Sequence, residues 1–277
     1  MDEPSLEILY EDNHCLALAK PCGVVSAHFQ GKEETLDRAV KSYLKTKYQK
    51  PGNVFLGVVH RLDKAVSGVL LFARTSKAAA RLAEQFREGT VEKVYWAVVE
   101  GPVQTLAGSL EDWLRKDKEA HRVEVTEPHA PGARQSLLHF TRKGIHADLT
   151  WLELRPQTGR THQLRVQLAH HGHPIYGDAR YGSIHTFGQG IGLHARSLTF
   201  LHPIRYEPIT LTAEVPRQWR GRLPPISCST RSAAEAYDRQ EPALPVAASE
   251  RDGKEIAVER PLAGKTLALP KAASSRT

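Results

Sequence analysis

Residues 60–74 read HRLDKAVSGVLLFAR, a charged turn followed by a strongly apolar run. The single carboxylate of this stretch, Asp63, lies between Arg61 and Lys64 and just ahead of residues 67–74. A continuous apolar run of this length is typical of a strand that is buried on both faces. Because the end of a strand is a rigid platform, the pattern favours a positioned, reactive carboxylate. The same composition also fits a loop aspartate in a surface ion pair.

Short strands and a few helices are predicted on either side of this stretch. Apolar residues at helical spacing predict helices over residues 35–47 and 162–171, with a third helix that Ser76 caps and Gly89 ends. The predicted strands are residues 6–10, 15–19, 54–59, 67–74, 93–99, 137–141, 147–154, 193–201 and 208–215. Paired strands with interposed helices predict an α+β fold with a mixed, largely antiparallel central sheet and flanking helices.

Charge and composition divide the chain into two parts. The 277 residues carry a formal net charge of +7, and the pI is about 9.3. Residues 226–277 are rich in Ala, Ser, Pro and charged residues without an apolar period, which predicts a disordered tail. That tail is nearly neutral, so the positive charge lies mainly in residues 1–225, the predicted folded domain. A basic domain favours a polyanionic partner such as nucleic acid, or an acidic membrane surface.

Several classes of protein are disfavoured by what the sequence lacks. Cys15, Cys22 and Cys228 form no C-x-x-C pair, so neither zinc nor redox chemistry is indicated. The N-terminus is acidic, unlike a secretory signal, and the apolar run at residues 69–73 is too short to cross a bilayer. No P-loop or G-x-G-x-x-G motif supports a nucleotide cofactor. We therefore expect a soluble, cytoplasmic protein without a metal or a nucleotide cofactor.

The stretch at residues 60–74 resembles the H-R-L-D-x-x-(T/S)-S-G motif of the RluA-type RNA pseudouridine synthases. Four further segments are similar to motifs of the same family, in the family's order. They are residues 16–25 (LALAKPCGVV), 92–101 (EKVYWAVVEG), 154–178 (LRPQTGRTHQLRVQLAHHGHPIYGD) and 193–203 (LHARSLTFLHP). Five motifs in order are far more specific than any one of them.

The resemblance implies a cofactor-free isomerase that converts uridine in RNA to pseudouridine. Asp63 matches the catalytic aspartate, which would attack the sugar, attack the base or assist an elimination. Tyr95 matches the active-site tyrosine, whose ring can stack on uracil and whose hydroxyl can relay a proton. Arg165 matches the arginine that pairs with the catalytic carboxylate. We expect these three side chains at the floor of an RNA groove that crosses the sheet.

The resemblance also implies which residues bind RNA. Arg61 matches a position whose side chain enters the RNA where the target base has left the stack, and a phosphate contact is the alternative. His60 is expected to shape the loop and, with Lys64, Arg160 and His162, to line the RNA-binding surface. The implied substrate is a stem-loop of ribosomal or transfer RNA, bound by a monomer.

Three alternatives stand against this interpretation. The cluster His170, His171, His173 and Asp178 could hold a metal, although its spacing fits no common zinc or iron pattern. A noncatalytic RNA-binding protein that kept the fold would bind RNA without forming product, yet binding alone would not require the three site residues. A glycosidase would need a second carboxylate, and none is found beside Asp63.

Overall fold

The computed structural model describes residues 6–27, 35–117 and 122–219. Within these ranges the chain forms one sheet of eleven strands with three α-helices, so the predicted α+β class is confirmed. No helix of the described ranges is long and apolar enough to cross a membrane. The tail at residues 226–277 lies outside the described residues, and its disorder stays a prediction.

The sheet is mixed and mostly antiparallel. Its strands are β1 (Ile8–Glu11), β2 (Cys15–Lys20), β3 (Gly57–Val58), β4 (Ser67–Ala73), β5 (Glu92–Glu100), β6 (Ala107–Asp117), β7 (Arg122–Thr126), β8 (Arg134–His146), β9 (Leu149–Pro156), β10 (Leu193–Leu201) and β11 (Pro208–Thr212). The main path runs β1-β2-β4-β10-β5-β9-β8-β6-β7, with β3 paired to β4 and β11 paired to β10. Among the described strands, β4 and β10 form the one parallel pair. The turn that carries Asp63 enters the sheet at this pair.

Burial of β4 explains why its sequence is apolar throughout. All of its residues are buried, because alternate side chains enter two different cores. Leu70 and Phe72 pack into the larger core, which includes buried residues of the first helix. Val69 and Leu71 pack into a second core with residues of the second helix. A strand covered on both faces cannot show the polar alternation of a half-exposed strand.

Gly68 allows β10 to approach β4 closely. Its backbone has φ of +120°, and a Cβ built at this position would lie 2.2 Å from the carbonyl oxygen of Ala195. Only glycine tolerates both the backbone conformation and the contact. Gly68 is therefore required by its neighbour Ala195, which is more than a hundred residues away in sequence.

Three helices accompany the sheet: α1 (Leu36–Lys47), α2 (Ser76–Glu88) and α3 (Gln163–His170). The predicted cap of α2 was wrong by one residue, because Thr75 and not Ser76 is the N-cap. Thr75 has extended backbone, and its side chain accepts a hydrogen bond from the backbone N–H of Ala78, whereas Ser76 is already helical. Gly89 ends α2 in the left-handed conformation, as predicted.

Two strands of the sheet were not predicted, β6 and β7. The sequence of β6 is AGSLEDWLRKD, and most of its side chains are exposed or half-buried. Such a polar strand carries little periodic signal, and its pairing with β8 depends on residues distant in sequence. The predicted strand at residues 54–59 shortens to β3, which has two residues.

Two histidines, the half-buried His60 and the buried His194, make the fold sensitive to acid. The Nε2 atom of His60 accepts a hydrogen bond from the backbone N–H of Leu71, and the Nδ1 atom of His194 bonds to the Ser67 hydroxyl at 2.9 Å. Burial lowers the pKa of each ring to about 4. Histidine in an unfolded chain titrates near pH 6.5, so the unfolded chain binds more protons between about pH 6.5 and about pH 4.

We expect the free energy of unfolding to fall as the pH drops through this window, by at most about 1.4 kcal/mol per pH unit for each histidine. Urea unfolding across the window measures the slope. His60→Gln should flatten it, because the amide oxygen can still accept the Leu71 N–H but does not titrate. The matched change at the exposed His146, His146→Gln, should leave the slope unchanged. Equal slopes for wild type and His60→Gln would contradict this prediction.

Candidate active site

The turn that carries Asp63 is fixed by the segment ahead of α1. The backbone N–H of Gly23 donates to the carbonyl oxygen of Lys64 at 2.7 Å. The Ser26 hydroxyl donates to the carbonyl oxygen of Leu62 at 2.7 Å and accepts from the N–H of Leu62 at 3.2 Å. The backbone is therefore held on both sides of Asp63, which limits the positions that its carboxylate can occupy.

A buried lysine, Lys20, hydrogen-bonds to the backbone of the same turn. Lys20 is 1% exposed, and its Nζ donates to the carbonyl oxygens of Pro21, Lys64 and Val66 at 2.8, 3.3 and 2.7 Å. Burial lowers the pKa of this ammonium group to about 8. Three carbonyl acceptors satisfy its three donors, so Lys20 ties the end of β2 to the turn.

Arg165 joins Asp63 to a second, buried carboxylate. Its Nη1 donates to Asp63 Oδ2 at 3.0 Å, while Nε and Nη2 donate to the two oxygens of Asp178 at 2.6 and 2.8 Å. Burial acts to lower the pKa of Arg165, but the bonds to Asp178 and the charge of Asp63 raise it overall. The two-pronged bond to Asp178 fixes the plane of the guanidinium and directs Nη1 at Asp63.

Tyr95 lies on β5 and lines a cavity of about 550 Å³ together with Asp63. Cavities that hold small ligands measure roughly 300–1,000 Å³. Burial raises the pKa of the Tyr95 hydroxyl, and the Asp63 carboxylate raises it further. The phenol is therefore protonated near neutral pH and can donate a hydrogen bond into the cavity.

The structure brings the five predicted RNA-binding residues to the same cavity. It is lined by His60, Arg61, Lys64, Arg160 and His162. The side chains of Arg61, Lys64 and Arg160 are exposed, so three solvent-accessible cations line the cavity. A basic rim of this kind attracts phosphate groups.

His60 differs from these cations because its ring is held by the protein. The ring stacks on Phe86 with 4.7 Å between centroids, and Nε2 is occupied by the backbone N–H of Leu71. These contacts give His60 a loop-shaping role, and its direct contact with RNA stays a prediction.

His162 occupies a backbone conformation that is uncommon for a residue with a side chain. Its φ and ψ are 53° and 18°, in the left-handed region, immediately before α3. The ring lies between two polar groups: Nδ1 is 2.7 Å from the Tyr181 hydroxyl, and Nε2 is 3.6 Å from Asp63 Oδ2. Burial lowers the pKa of His162, so the ring is neutral near pH 7.

Comparison with known families identifies the chain. The family model described as RNA pseudouridylate synthase matches residues 14–170, more than half of the sequence. This chain belongs to the RNA pseudouridylate synthase family. The family that the five motifs indicated is thereby confirmed, and so is the class of enzyme, an isomerase of RNA uridine.

Curated relatives of the family cover most of the chain. The dual-specificity RNA pseudouridine synthase RluA of Vibrio vulnificus is 35% identical over 211 residues, which is 73% of this chain and 80% of the relative. The tRNA pseudouridine synthase C of Haemophilus ducreyi is 33% identical over 233 residues, 78% and 93% of the two chains. The ribosomal large subunit pseudouridine synthase D of Xanthomonas campestris is 33% identical over 252 residues, 84% and 73%. These relatives are named for different RNAs.

Solved structures show the same fold. The human RNA pseudouridylate synthase domain containing 1 matches with a TM-score of 0.61 and 26% identity, covering 78% of this chain and 86% of the other. The human RNA pseudouridylate synthase domain containing 4 matches with a TM-score of 0.64 and 23% identity, covering 76% and 89%, and supports the fold alone. The pseudouridine synthase fold predicted from the motifs is confirmed.

Sequence reasoning missed three residues of this site: Lys20, Asp178 and Tyr181. Lys20 and Asp178 lie within the family-like segments, but nothing local indicates that these charged groups are buried. Asp178 was considered only as a metal ligand, whereas both of its oxygens bond to Arg165. Burial and pairing depend on which elements meet in space, which a single sequence does not report.

Two histidines of the candidate metal cluster, His171 and His173, have other hydrogen-bond partners. The Nε2 atom of His171 bonds to Asp112 at 3.2 Å, and the Nδ1 atom of His173 bonds to the carbonyl oxygen of Glu100 at 3.1 Å. Asp178 belongs to the Arg165 pair. His171, His173 and Asp178 therefore each have a separate partner in the fold.

Proposed function

We propose that this protein isomerises specific uridines in structured RNA, with Asp63 as the catalytic carboxylate and with Tyr95 and Arg165 as its partners. In this reaction the bond from the sugar carbon C1′ to uracil N1 breaks, and a bond from C1′ to uracil C5 forms. C5 loses a proton and N1 gains one, so substrate and product have the same composition. The uracil must turn within the site between these steps.

The observation that carries this proposal is the chain of contacts from Asp178 through Arg165 to Asp63, beside Tyr95 in a cavity with a basic rim. A sugar that loses its base gains positive character, and a fixed carboxylate stabilises or attacks it. A carboxylate that is fixed before substrate binds loses no further conformational freedom during the reaction, so the entropic cost of orienting it does not add to the activation free energy. A phenol beside it offers a surface on which the uracil can stack.

Base flipping would deliver the uridine to the cavity. A base within a stem or a stacked loop must leave its neighbours first, at a cost of a few kcal/mol. The exposed Arg61, two residues before Asp63, would occupy the space that the base vacates. Lys64 and Arg160 would contact the backbone around the flipped nucleotide.

Pseudouridine mapping tests the proposal directly. Total RNA from cells that lack this protein should have lost pseudouridine at defined positions, compared with RNA from the parent cells. The purified protein should restore those positions in the RNA from the deletion cells. Binding of that RNA without product would support the noncatalytic alternative, and release of free uracil would support a glycosidase.

Binding of RNA should weaken as salt rises. Each phosphate contact contributes roughly 0.7–0.9 to the slope of log affinity against log salt concentration. We expect Arg160→Gln, at an exposed cation of the cavity, to lower that slope by about 1, as measured by filter binding over a salt series. Lys45→Gln, an equivalent change at an exposed lysine of α1 outside the cavity, should leave the slope unchanged. Affinity independent of salt would remove the case for a basic RNA groove.

We further propose a stem-loop of ribosomal or transfer RNA as the substrate, since two of the relatives named above are named for transfer RNA and for the ribosomal large subunit. We also propose a cytoplasmic location, and a monomeric state because Asp63, Tyr95 and Arg165 of a single chain line a common cavity. Sedimentation of the free protein and of its RNA complex would test the monomer.

A further inference from the structure

Tyr181 touches both residues that approach the Asp63 carboxylate. It ends the 3-10 turn Ala179–Tyr181, and its ring lies under Arg165, with 5.0 Å from the guanidinium carbon to the ring centroid. Its hydroxyl is 2.7 Å from His162 Nδ1. The Tyr181 side chain therefore contacts both Arg165, which bonds to Asp63, and His162, which faces Asp63.

The hydrogen bonds of Tyr181 decide which nitrogen of His162 carries the proton. The backbone N–H of Val123 donates to the Tyr181 oxygen at 3.2 Å. The hydroxyl proton is therefore free to point at His162 Nδ1, and Nδ1 accepts it in the tautomer that presents Nε2–H, rather than a lone pair, to the Asp63 carboxylate. A neutral imidazole with an accepting Nδ1 carries its proton on Nε2. That nitrogen is the one that faces Asp63.

The Nε2–H group of His162 and Arg165 face the same oxygen of Asp63. Arg165 Nη1 bonds to Oδ2 at 3.0 Å, and His162 Nε2 is 3.6 Å from it. A distance of 3.6 Å is too long for a hydrogen bond, but catalytic contacts often tighten only when substrate binds. Within residues 6–27, 35–117 and 122–219, no side chain bonds to Oδ1 of Asp63. Oδ1 is therefore the oxygen left for the nucleotide.

The backbone of His162 is consistent with a positioned ring. It adopts a left-handed conformation, and its side chain makes no capping bond to the first turn of α3. The ring is instead committed to Tyr181 on one side and Asp63 on the other. Backbone conformations of this kind, when the surroundings maintain them, concentrate at functional sites.

We propose that Tyr181 is a positioning residue of the reaction: it holds the Nε2–H tautomer of His162 toward Asp63 Oδ2 and supports Arg165 against the same oxygen. The inference rests on the proposed function, because Asp63 is the carboxylate assigned to uridine isomerisation. When RNA fills the cavity, the Nε2–H group of His162 closes on Oδ2. Two donors then hold Oδ2, and Oδ1 faces the sugar of the flipped nucleotide.

Tyr181→Phe isolates the hydroxyl, since the ring under Arg165 is kept. With total RNA from the deletion cells as substrate, we expect kcat to fall about 10- to 100-fold, with KM within about threefold of wild type. Nitrogen-15 NMR of the His162 ring in the free protein should change from the Nε2–H tautomer to a mixture. The matched control is Tyr43→Phe, which removes a hydroxyl bonded to Glu11 outside the cavity and should change neither value.

A double variant tests whether Tyr181 acts through His162. Tyr181→Phe combined with His162→Gln should lose no more activity than His162→Gln alone. Additive losses, a wild-type kcat in Tyr181→Phe, or an unchanged tautomer would each overturn the inference. The NMR signal needs no turnover, so it still reports on Tyr181 if the wild-type protein forms no pseudouridine. Failure of the wild-type protein to form pseudouridine would instead reject the proposed function.

Discussion

Asp63→Asn should abolish pseudouridine formation, with turnover reduced at least about 10⁴-fold and RNA affinity within about threefold of wild type. The amide matches the carboxylate in size, and its oxygen can still accept the bond that Arg165 Nη1 donates at 3.0 Å. What it lacks is the negative charge that stabilises or attacks the sugar. The fold should be unaffected, because the turn is held through the backbone of Lys64 and Leu62.

Release of tritium from uracil C5 in labelled RNA measures turnover, since C5 loses its proton in the reaction, and filter binding measures affinity. Asp148→Asn removes the same charge from the exposed turn between β8 and β9, outside the cavity, and should retain both activities. Comparable losses of binding and turnover in Asp63→Asn would make Asp63 a structural residue. Turnover near the wild-type rate would reject its catalytic assignment.

Arg165→Met should lower turnover by about 10²- to 10³-fold, because the donor that holds Asp63 Oδ2 is lost. The same change should lower the free energy of unfolding by about 3–5 kcal/mol, since Asp178, 1% exposed, would keep a buried charge without its partner. Tritium release measures the first effect, and urea unfolding measures the second.

A second substitution separates the two roles of Arg165. In Arg165→Met with Asp178→Leu, no uncompensated charge is left in the core, so much of the lost stability should return. Turnover should stay low, because nothing directs Asp63. Recovery of turnover together with stability would show that Arg165 serves the fold alone.

Local patterns predicted the elements around the site with little error. The apolar run after Asp63 is β4, the amphipathic run after Thr35 is α1, and Gly89 ends α2. Each of these features depends on residues that are neighbours in sequence. The strands β6 and β7 were missed because they are polar, and their partners lie far along the chain.

The motifs also identified three residues that line a common cavity in the folded protein. Asp63, Tyr95 and Arg165 come from a turn, a strand and a helix that are widely spaced in sequence, and no periodicity connects them. Their grouping was predicted through the resemblance to a family. The pairing of Arg165 with Asp178 was not predicted, because a charged residue in sequence does not reveal its own burial.

The sequence alone determined the family, the order of the central elements and the identity of the candidate carboxylate, since these are carried by motifs and by local hydrophobic spacing. Only the tertiary structure decided how that carboxylate is held. Lys20 hydrogen-bonds to the backbone of its turn, Asp178 bonds to Arg165, and Tyr181 bonds to His162. The physical reason is that a charged or polar group is tolerated in a protein core only when its partners meet it there. Those partners are supplied by chain segments that become neighbours only through folding.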